Sequence, residues 1–437
     1  IAIMAKCFED ARVILERITQ TKPRFVAAWH DLATVLKELH HYEEAVSILE
    51  NAVSIEPNNA LTHYYHGAAL AMAARPQDAV DAYRTAVALD AKIPGAHIGL
   101  GHVLKTVGDQ EGGIEAYRQH PYVRDVVDPP AIWQQGSTRL LDYGEVDGAK
   151  KDGTPVLFVP SLVNKGYVLD ISTRRSMLRW LAARGVRPLL VDWGTPGDAE
   201  KGYSLDDYIA GRLEAALDVV AGLTGNPAPV VGYCLGGDLA LALALRRQSD
   251  VSSLALMATP WDFYGGSGMH NKLFAAATES IDSVINGFGE LPIDILQTFF
   301  ASLDPALGLR KFRSFASLDP ASEKAADFVA LEDWLNDGIP LVQEVARECL
   351  IRWYRDNTPF KGEWAVAGDV VDPRDLKVPT LIAAPASDRI VPLEAASPLA
   401  ELIAGAKLIS PPSGHIGMVV SSRAPDGLWK DLLAWLL

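Results

Sequence analysis

Apolar and small residues recur with a period of about 34 through the first quarter of the chain, and within each recurrence they fall three and four positions apart, as on one helix face. The clearest unit carries Trp29, Leu32, Ala33, Ala45, Leu49, Ala52 and Pro57. Gly67, Ala79, Tyr83 and Ala86 fall at the same places one period on, and Leu100, Gly101, Leu104 and Tyr117 follow in the next. Ala11, Leu15 and Pro23 extend the pattern backwards as the second helix of an earlier unit. Small residues at such spacings let paired helices approach closely while large ones fill the groove beside them, which predicts an all-α solenoid over residues 1–120. In the third recurrence Gly113 stands where Ala is expected and His120-Pro121 ends the helix. No capping helix follows, so the rest of the chain is expected to cover that end of the solenoid.

After Pro121 the period changes, and short apolar runs alternate with helical stretches. The runs 138–143, 156–159, 187–191, 229–233, 254–257, 380–383 and 407–409 read as strands, and their alternation with helices predicts a mostly parallel sheet over 121–437. Between the fifth and sixth of these runs the alternation stops for a long segment, helical in pattern and rich in aromatic residues. Residues 261–370 are therefore expected to form a cap insertion over the carboxyl edge of the sheet. Asp304-Pro305 and Asp319-Pro320 break helices, so the cap is expected as several short ones. Its aromatic residues Phe299, Phe300, Phe312, Phe315, Trp334, Trp353 and Tyr354 suit an apolar, dry channel.

Composition narrows the function. With 437 residues, 49% of them hydrophobic, the chain is long enough for two or more cores, and its net charge of -15 opposes binding to nucleic acid or an anionic membrane. Three widely spaced cysteines, Cys7, Cys234 and Cys349, imply a reduced, cytoplasmic setting without a disulfide framework. No apolar run is long enough for a membrane span, and the opening residues do not read as a signal peptide.

The chemistry gathers on one edge of the expected sheet. Gly232-Tyr233-Cys234-Leu235-Gly236 follows a strand and precedes a helix-forming run, which is a nucleophile elbow with Cys in the usual Ser position. The helix N-terminus that follows favours an anion there. Asp388 comes after the strand 380–383 and His415 after the strand 407–409, completing the order nucleophile, acid, histidine. A loop Asp is usually a turn former and a lone His usually structural, but here each follows its own strand at the same edge. Asp262 is a rival acid, although Trp261-Asp262-Phe263 reads more naturally as a hinge into the cap. The backbone N–H groups of Leu235 and Leu162 are placed to form an oxyanion hole. Lys165, Arg174 and Arg175 are candidates for meeting phosphates of a substrate, against the alternative of a solvated basic face.

Over residues 118–437 this set resembles the polyhydroxyalkanoate (poly-3-hydroxyalkanoate) synthases of the α/β-hydrolase superfamily. The resemblance is carried by Val159-Pro160-Ser161-Leu162-Val163-Asn164-Lys165, Tyr167-Val168-Leu169-Asp170, Asp192-Trp193-Gly194, Tyr233-Cys234-Leu235-Gly236-Gly237, Asp388-Arg389-Ile390-Val391-Pro392 and Gly414-His415-Ile416-Gly417. It implies an α/β hydrolase fold with a helical cap and a Cys-His-Asp acyltransferase. Such an enzyme takes (R)-3-hydroxyacyl-CoA, releases CoA and extends a polyester at the surface of a cytoplasmic storage granule. It further implies an acyl-CoA substrate, no cofactor and no metal, and a homodimer or a granule-associated partner. The first 120 residues resemble tetratricopeptide repeats, most nearly those in front of sulfotransferase domains, and their groove implies a protein partner. Such an array is a departure from the synthase pattern. Two other readings share these residues: a polyester depolymerase, esterase or thioesterase on the same scaffold, and a tetratricopeptide scaffold protein at polyester granules.

Overall fold

The computed structural model describes residues 2–266, 269–302 and 305–437, without the side chains of residues 2–7, 94, 105, 109, 110, 269–276, 299–302, 305, 306 and 309. It divides into two compact units, Ile1–Pro121 with Asp304–Ala326, and Tyr122–Leu303 with Asp327–Leu437.

The first unit is helical: α1 (Ala2–Thr21), α2 (Val26–Glu38), α3 (Tyr42–Ile55), α4 (Ala60–Met72), α5 (Pro76–Leu89) and α6 (Pro94–Gln119). The repeat positions read from the sequence are its core, with Leu32, Ala33, Ala45, Leu49, Ala52, Ala79 and Ala86 all at most 2% exposed. The third recurrence folds differently from the expected helix pair, because α6 runs unbroken for 26 residues. Its second half takes a partner from far along the chain, the helix Pro305–Ala316. The ring of Phe312 lies 5.9 Å from that of Tyr117, and the His120 ring N–H donates to the Pro320 carbonyl at 2.8 Å. A dedicated capping helix for the last repeat therefore exists, encoded inside the insertion where local pattern gives no sign of it.

In the second unit eight strands form one sheet: β1 (Ala131–Gln135), β2 (Thr138–Asp142), β3 (Thr154–Val159), β4 (Val186–Asp192), β5 (Ala228–Tyr233), β6 (Val251–Met257), β7 (Thr380–Ala383) and β8 (Lys407–Ile409). They are ordered β1-β2-β4-β3-β5-β6-β7-β8. The first two pairings are antiparallel and the five from β4 to β8 are parallel. Every residue of β5 and β7 is buried, which is why these strands read as continuous apolar runs. β1 escapes the sequence pattern because it is an edge strand with little burial on either face.

The segment between β6 and β7 carries helices Met269–Phe288, Ile293–Ser302, Pro305–Ala316 and Glu323–Asn336, then a π-helical turn Arg347–Arg355. The helix Pro305–Ala316 ends before Asp319-Pro320 and the next begins at Glu323, in keeping with the second Asp-Pro break; the first falls at residues 303 and 304, outside the described residues. No helix among the described residues is long and apolar enough to cross a membrane.

Candidate active site

β5 delivers Cys234 at the N-terminus of helix α7 (Leu235–Arg246), with a backbone φ of 56° that a side chain rarely tolerates. Tight packing enforces the turn, since a Cβ on Gly236 would come within 2.3 Å of the Val159 carbonyl oxygen, and so the end of β3 presses against the elbow. The thiol is partly exposed while its neighbours Tyr233 and Leu235 are buried.

Asp388 and His415 meet. His415 Nδ1 lies 2.8 Å from Asp388 Oδ2, with the carboxylate fully covered and the imidazole 7% exposed. Asp388 Oδ1 accepts the N–H groups of Ile390 and Val391 at 2.9 Å each, so the carboxylate is fixed from both sides. The Tyr233 hydroxyl donates to the His415 carbonyl at 3.1 Å and its ring lies 5.3 Å from the imidazole. Burial pulls the His415 pKa down, but the Cys234 thiolate beside it and the Asp388 carboxylate outweigh burial and raise it to about 10. With Nδ1 committed to Asp388, Nε2 is the ring nitrogen left over.

Asp262, the rival acid, is engaged elsewhere: its Oδ1 accepts from the Tyr264 N–H at 2.9 Å and from Asn357 Nδ2 at 2.8 Å. Leu162 and Leu235 are both buried, and the Leu162 N–H has no acceptor among the described residues. Lys165 pairs with Asp337 at 2.7 Å, while Arg174 and Arg175 both pair with Asp327, at 2.9 Å and 2.8 Å. A phosphate reaching any of the three meets a cation already paired with a carboxylate.

The aromatic residues of the insertion separate into groups. Trp353 and Tyr354, from the π-helical turn, belong to the core cluster against which Cys234 packs. Trp334 is buried with its indole N–H on the Lys165 carbonyl at 2.7 Å. Phe312 and Phe315 lie in the first unit, where their rings face Tyr117 and His120. The side chains of Phe299, Phe300 and Cys7 lie outside the described residues. Cys349 is an interior thiol, its pKa pushed up chiefly by burial.

One acid was not legible as special. Asp238 sits one helical turn after Cys234, is 0% exposed, and neither carboxyl oxygen has a side-chain hydrogen-bond partner among the described residues. Burial, and then the charge of Cys234, push its pKa well above the usual carboxylate range, which favours the neutral acid. The clue in the sequence is a lone acid opening the apolar run Asp238-Leu239-Ala240-Leu241-Ala242-Leu243.

Parallel sheet, elbow and the acid–histidine pair beyond β7 and β8 define the class. The alpha/beta hydrolase fold model matches residues 154–421, and the chain belongs to that family. A tetratricopeptide repeat model matches residues 26–59. Within the family the chain is similar to poly(3-hydroxyalkanoate) polymerase subunits PhaC. That of Haloarcula marismortui is 30% identical over 70% of this chain and 66% of its own length. That of Haloferax mediterranei is 29% identical over 70% and 62%. That of Allochromatium vinosum is 29% identical over 70% of this chain and 87% of its own length. The chain thus spans just under two thirds of the two haloarchaeal relatives.

Proposed function

We propose that the chain is an acyltransferase that polymerises (R)-3-hydroxyacyl-CoA into polyhydroxyalkanoate through a thioester on Cys234. The observation that carries the reading is a cysteine, not a serine, at the elbow beside a buried His415–Asp388 pair, in a chain whose relatives are named polymerase subunits.

In the first half-reaction Sγ of Cys234 attacks the thioester carbonyl carbon. The carbonyl oxygen gains negative charge facing the N–H groups of Leu235 and Leu162, and the C–S bond to CoA breaks. His415, protonated by the thiol, returns that proton to the departing CoA sulfur. The acyl group has passed from one thioester to another of nearly equal energy, so loading is reversible. In the second half-reaction His415 Nε2 takes the proton of an incoming 3-hydroxyl. That oxygen attacks the Cys234 thioester, and the product is an oxygen ester with Cys234 regenerated. Exchange of a thioester for an ester is downhill and drives chain growth. Asp388 holds the imidazole in the required tautomer throughout. Nothing in this sequence of steps needs a cofactor or metal, since CoA enters as part of the substrate.

The partner classes follow from the same reading: a second copy of the chain or a granule protein, the latter held in the groove of the repeats. Location at the surface of a cytoplasmic polyester granule belongs to this proposal too. The deciding experiment supplies (R)-3-hydroxybutyryl-CoA. Polymerisation predicts free CoA, insoluble polyester and an acyl adduct on Cys234. Soluble 3-hydroxybutyrate in stoichiometric yield would replace it with a thioesterase or esterase, and no adduct with intact granule binding would favour the scaffold.

A further inference from the structure

The backbone on both sides of the Leu162 N–H is held by hydrogen bonds, while that N–H has no acceptor among the described residues. Just before it, the Trp193 indole N–H donates to the Pro160 carbonyl at 3.1 Å. Just after it, the Val163 N–H donates to Ser161 Oγ at 3.2 Å, and the Val163 carbonyl accepts from the Ile339 N–H at 3.4 Å. Asn164 forms an isolated antiparallel bridge with Gly338. The Lys165 carbonyl accepts from the Trp334 indole at 2.7 Å, and its ammonium pairs with Asp337 Oδ1 at 2.7 Å. The Tyr167 hydroxyl donates to the other oxygen of the same carboxylate, Asp337 Oδ2, at 3.1 Å. Residues 334–339 of the insertion thus grip residues 163–167 along a continuous edge. Asp337 is its keystone, since one carboxylate binds two side chains of the loop at once.

From this geometry we infer that Asp337 is a positioning residue for acyl transfer, acting through Lys165 and Tyr167 to hold the Leu162 N–H where the carbonyl oxygen of the reacting thioester develops its charge. The inference rests on the proposed acyl-transfer reading. The physical reason is preorganisation: an oxyanion donor works only if its direction is set before the charge appears, and a donor on a loop must be held by its neighbours. Asp337 touches no reacting atom. Its carboxylate is 45% exposed, so the Lys165 pair contributes little to stability and is better understood by what it aligns.

Two reactions at the same sulfur separate alignment from general damage. Alkylation of Cys234 by iodoacetamide develops no charge on a carbonyl oxygen at the reacting carbon, whereas acylation does. The acyl donor is the N-acetylcysteamine thioester of (R)-3-hydroxybutyrate, which lacks the phosphates of CoA and so leaves Lys165 without a competing anion. Both rates are measured by intact-mass spectrometry on the full chain. Asp337→Ala is expected to slow acylation about 10- to 100-fold, a fraction of the loss seen when an oxyanion donor is removed outright, with alkylation within about two-fold of wild type. The loss falls on the acylation rate constant and leaves half-saturation unchanged. Asp337→Asn, which keeps the size and one acceptor oxygen, is expected to lose less, and it carries the test if the alanine variant does not fold. Charge exchange in Lys165→Asp with Asp337→Lys should restore part of the rate that either change alone removes. Equal loss of both reactions in Asp337→Asn would mean a structural role only, and unchanged acylation in Asp337→Ala would mean no role; either overturns the inference. A wild-type chain that is alkylated at Cys234 but never acylated there overturns the acyl-transfer reading itself, and is recognised because the wild type fails along with the variants.

Discussion

His415 and Asp388 are joined through Nδ1 and Oδ2 at 2.8 Å, and the second carboxylate oxygen is already occupied by the N–H groups of Ile390 and Val391. This arrangement fixes the outcome of Asp388→Asn. An amide NH2 must face either two backbone donors or the imidazole, and in the second case Nδ1 loses its proton to become the acceptor. Nε2 then carries the proton and cannot accept one from Cys234 or from an incoming hydroxyl. Acylation should fall on the order of 10³- to 10⁴-fold with little change in melting temperature. Asp262→Asn, changing a carboxylate held by Tyr264 and Asn357, should remain near the wild-type rate, and a deep loss there would reopen the choice of acid.

The pair of Cys234 and His415 should also be visible without turnover. Because the thiolate is the foremost influence raising the His415 pKa to about 10, Cys234→Ala is expected to let burial pull the imidazole back toward neutrality. Proton or nitrogen NMR of the ring would follow it. The sign for stability follows from linkage. A histidine that titrates near 6.5 unfolded and near 10 folded stabilises the wild type fully below about 6.5, and loses that contribution as pH rises toward 10. Cys234→Ala should flatten this limb of the profile. An unchanged His415 titration in the variant would contradict the coupling.

Asp238 predicts a slope of the same sign in a lower pH window, from the other side of the elbow. Folded, it is kept protonated by burial; unfolded, it ionises near pH 4, so above that pH the folded state holds the extra proton and stability falls as pH rises. Asp238→Asn has no such proton. Relative to wild type it should gain stability progressively from about pH 4 to pH 7, read as a urea midpoint that separates from the wild-type midpoint with increasing pH. A difference that does not vary with pH would mean that Asp238 is ionised in the folded chain.

Much of this was legible in the sequence, and the unreadable parts have a common cause. The strands 380–383 and 407–409 coincide with β7 and β8, and five further runs differ from the observed strands only at their ends; the clearest, β5 and β7, are parallel strands buried along their whole length, which leaves unbroken apolar runs. Cys234, Asp388 and His415 could be singled out as candidates because each follows a strand in a fixed order, and the structure brings the last two together. The Asp319-Pro320 break was equally local, since the residue before proline resists the helix. Asp337 gave no signal, because its role depends on meeting Lys165 and Tyr167 some 170 residues earlier. The unbroken α6 was misread for the same reason: its partner is the helix Pro305–Ala316, and no pattern within the repeats announces it.

That partnership gives adjacent glycines of α6 opposite expected effects. Gly112 has nothing within 4 Å of an added Cβ, so Gly112→Ala should simply improve helix propensity and stabilise by about 0.5–1 kcal/mol. Gly113 lies against the Phe312 backbone, where an added Cβ would come within 2.1 Å of its carbonyl oxygen. Backbone cannot yield as a flexible side chain would, so Gly113→Ala must push the helix Pro305–Ala316 away from α6 despite the same gain in propensity. Hydrogen exchange should quicken across residues 305–326 in Gly113→Ala and not in Gly112→Ala, and the melting temperature should fall in the first and rise in the second. Matching stabilisation by both substitutions would mean that α6 and the insertion helix do not pack at this distance in solution. The result also bears on truncation. A chain that begins near Gly112 keeps Gly113, Tyr117 and His120 but loses the rest of the solenoid that holds them in place, so it should expose the apolar side of the insertion helix. Limited proteolysis is then expected to cut first within 303–326 while the parallel sheet stays protected.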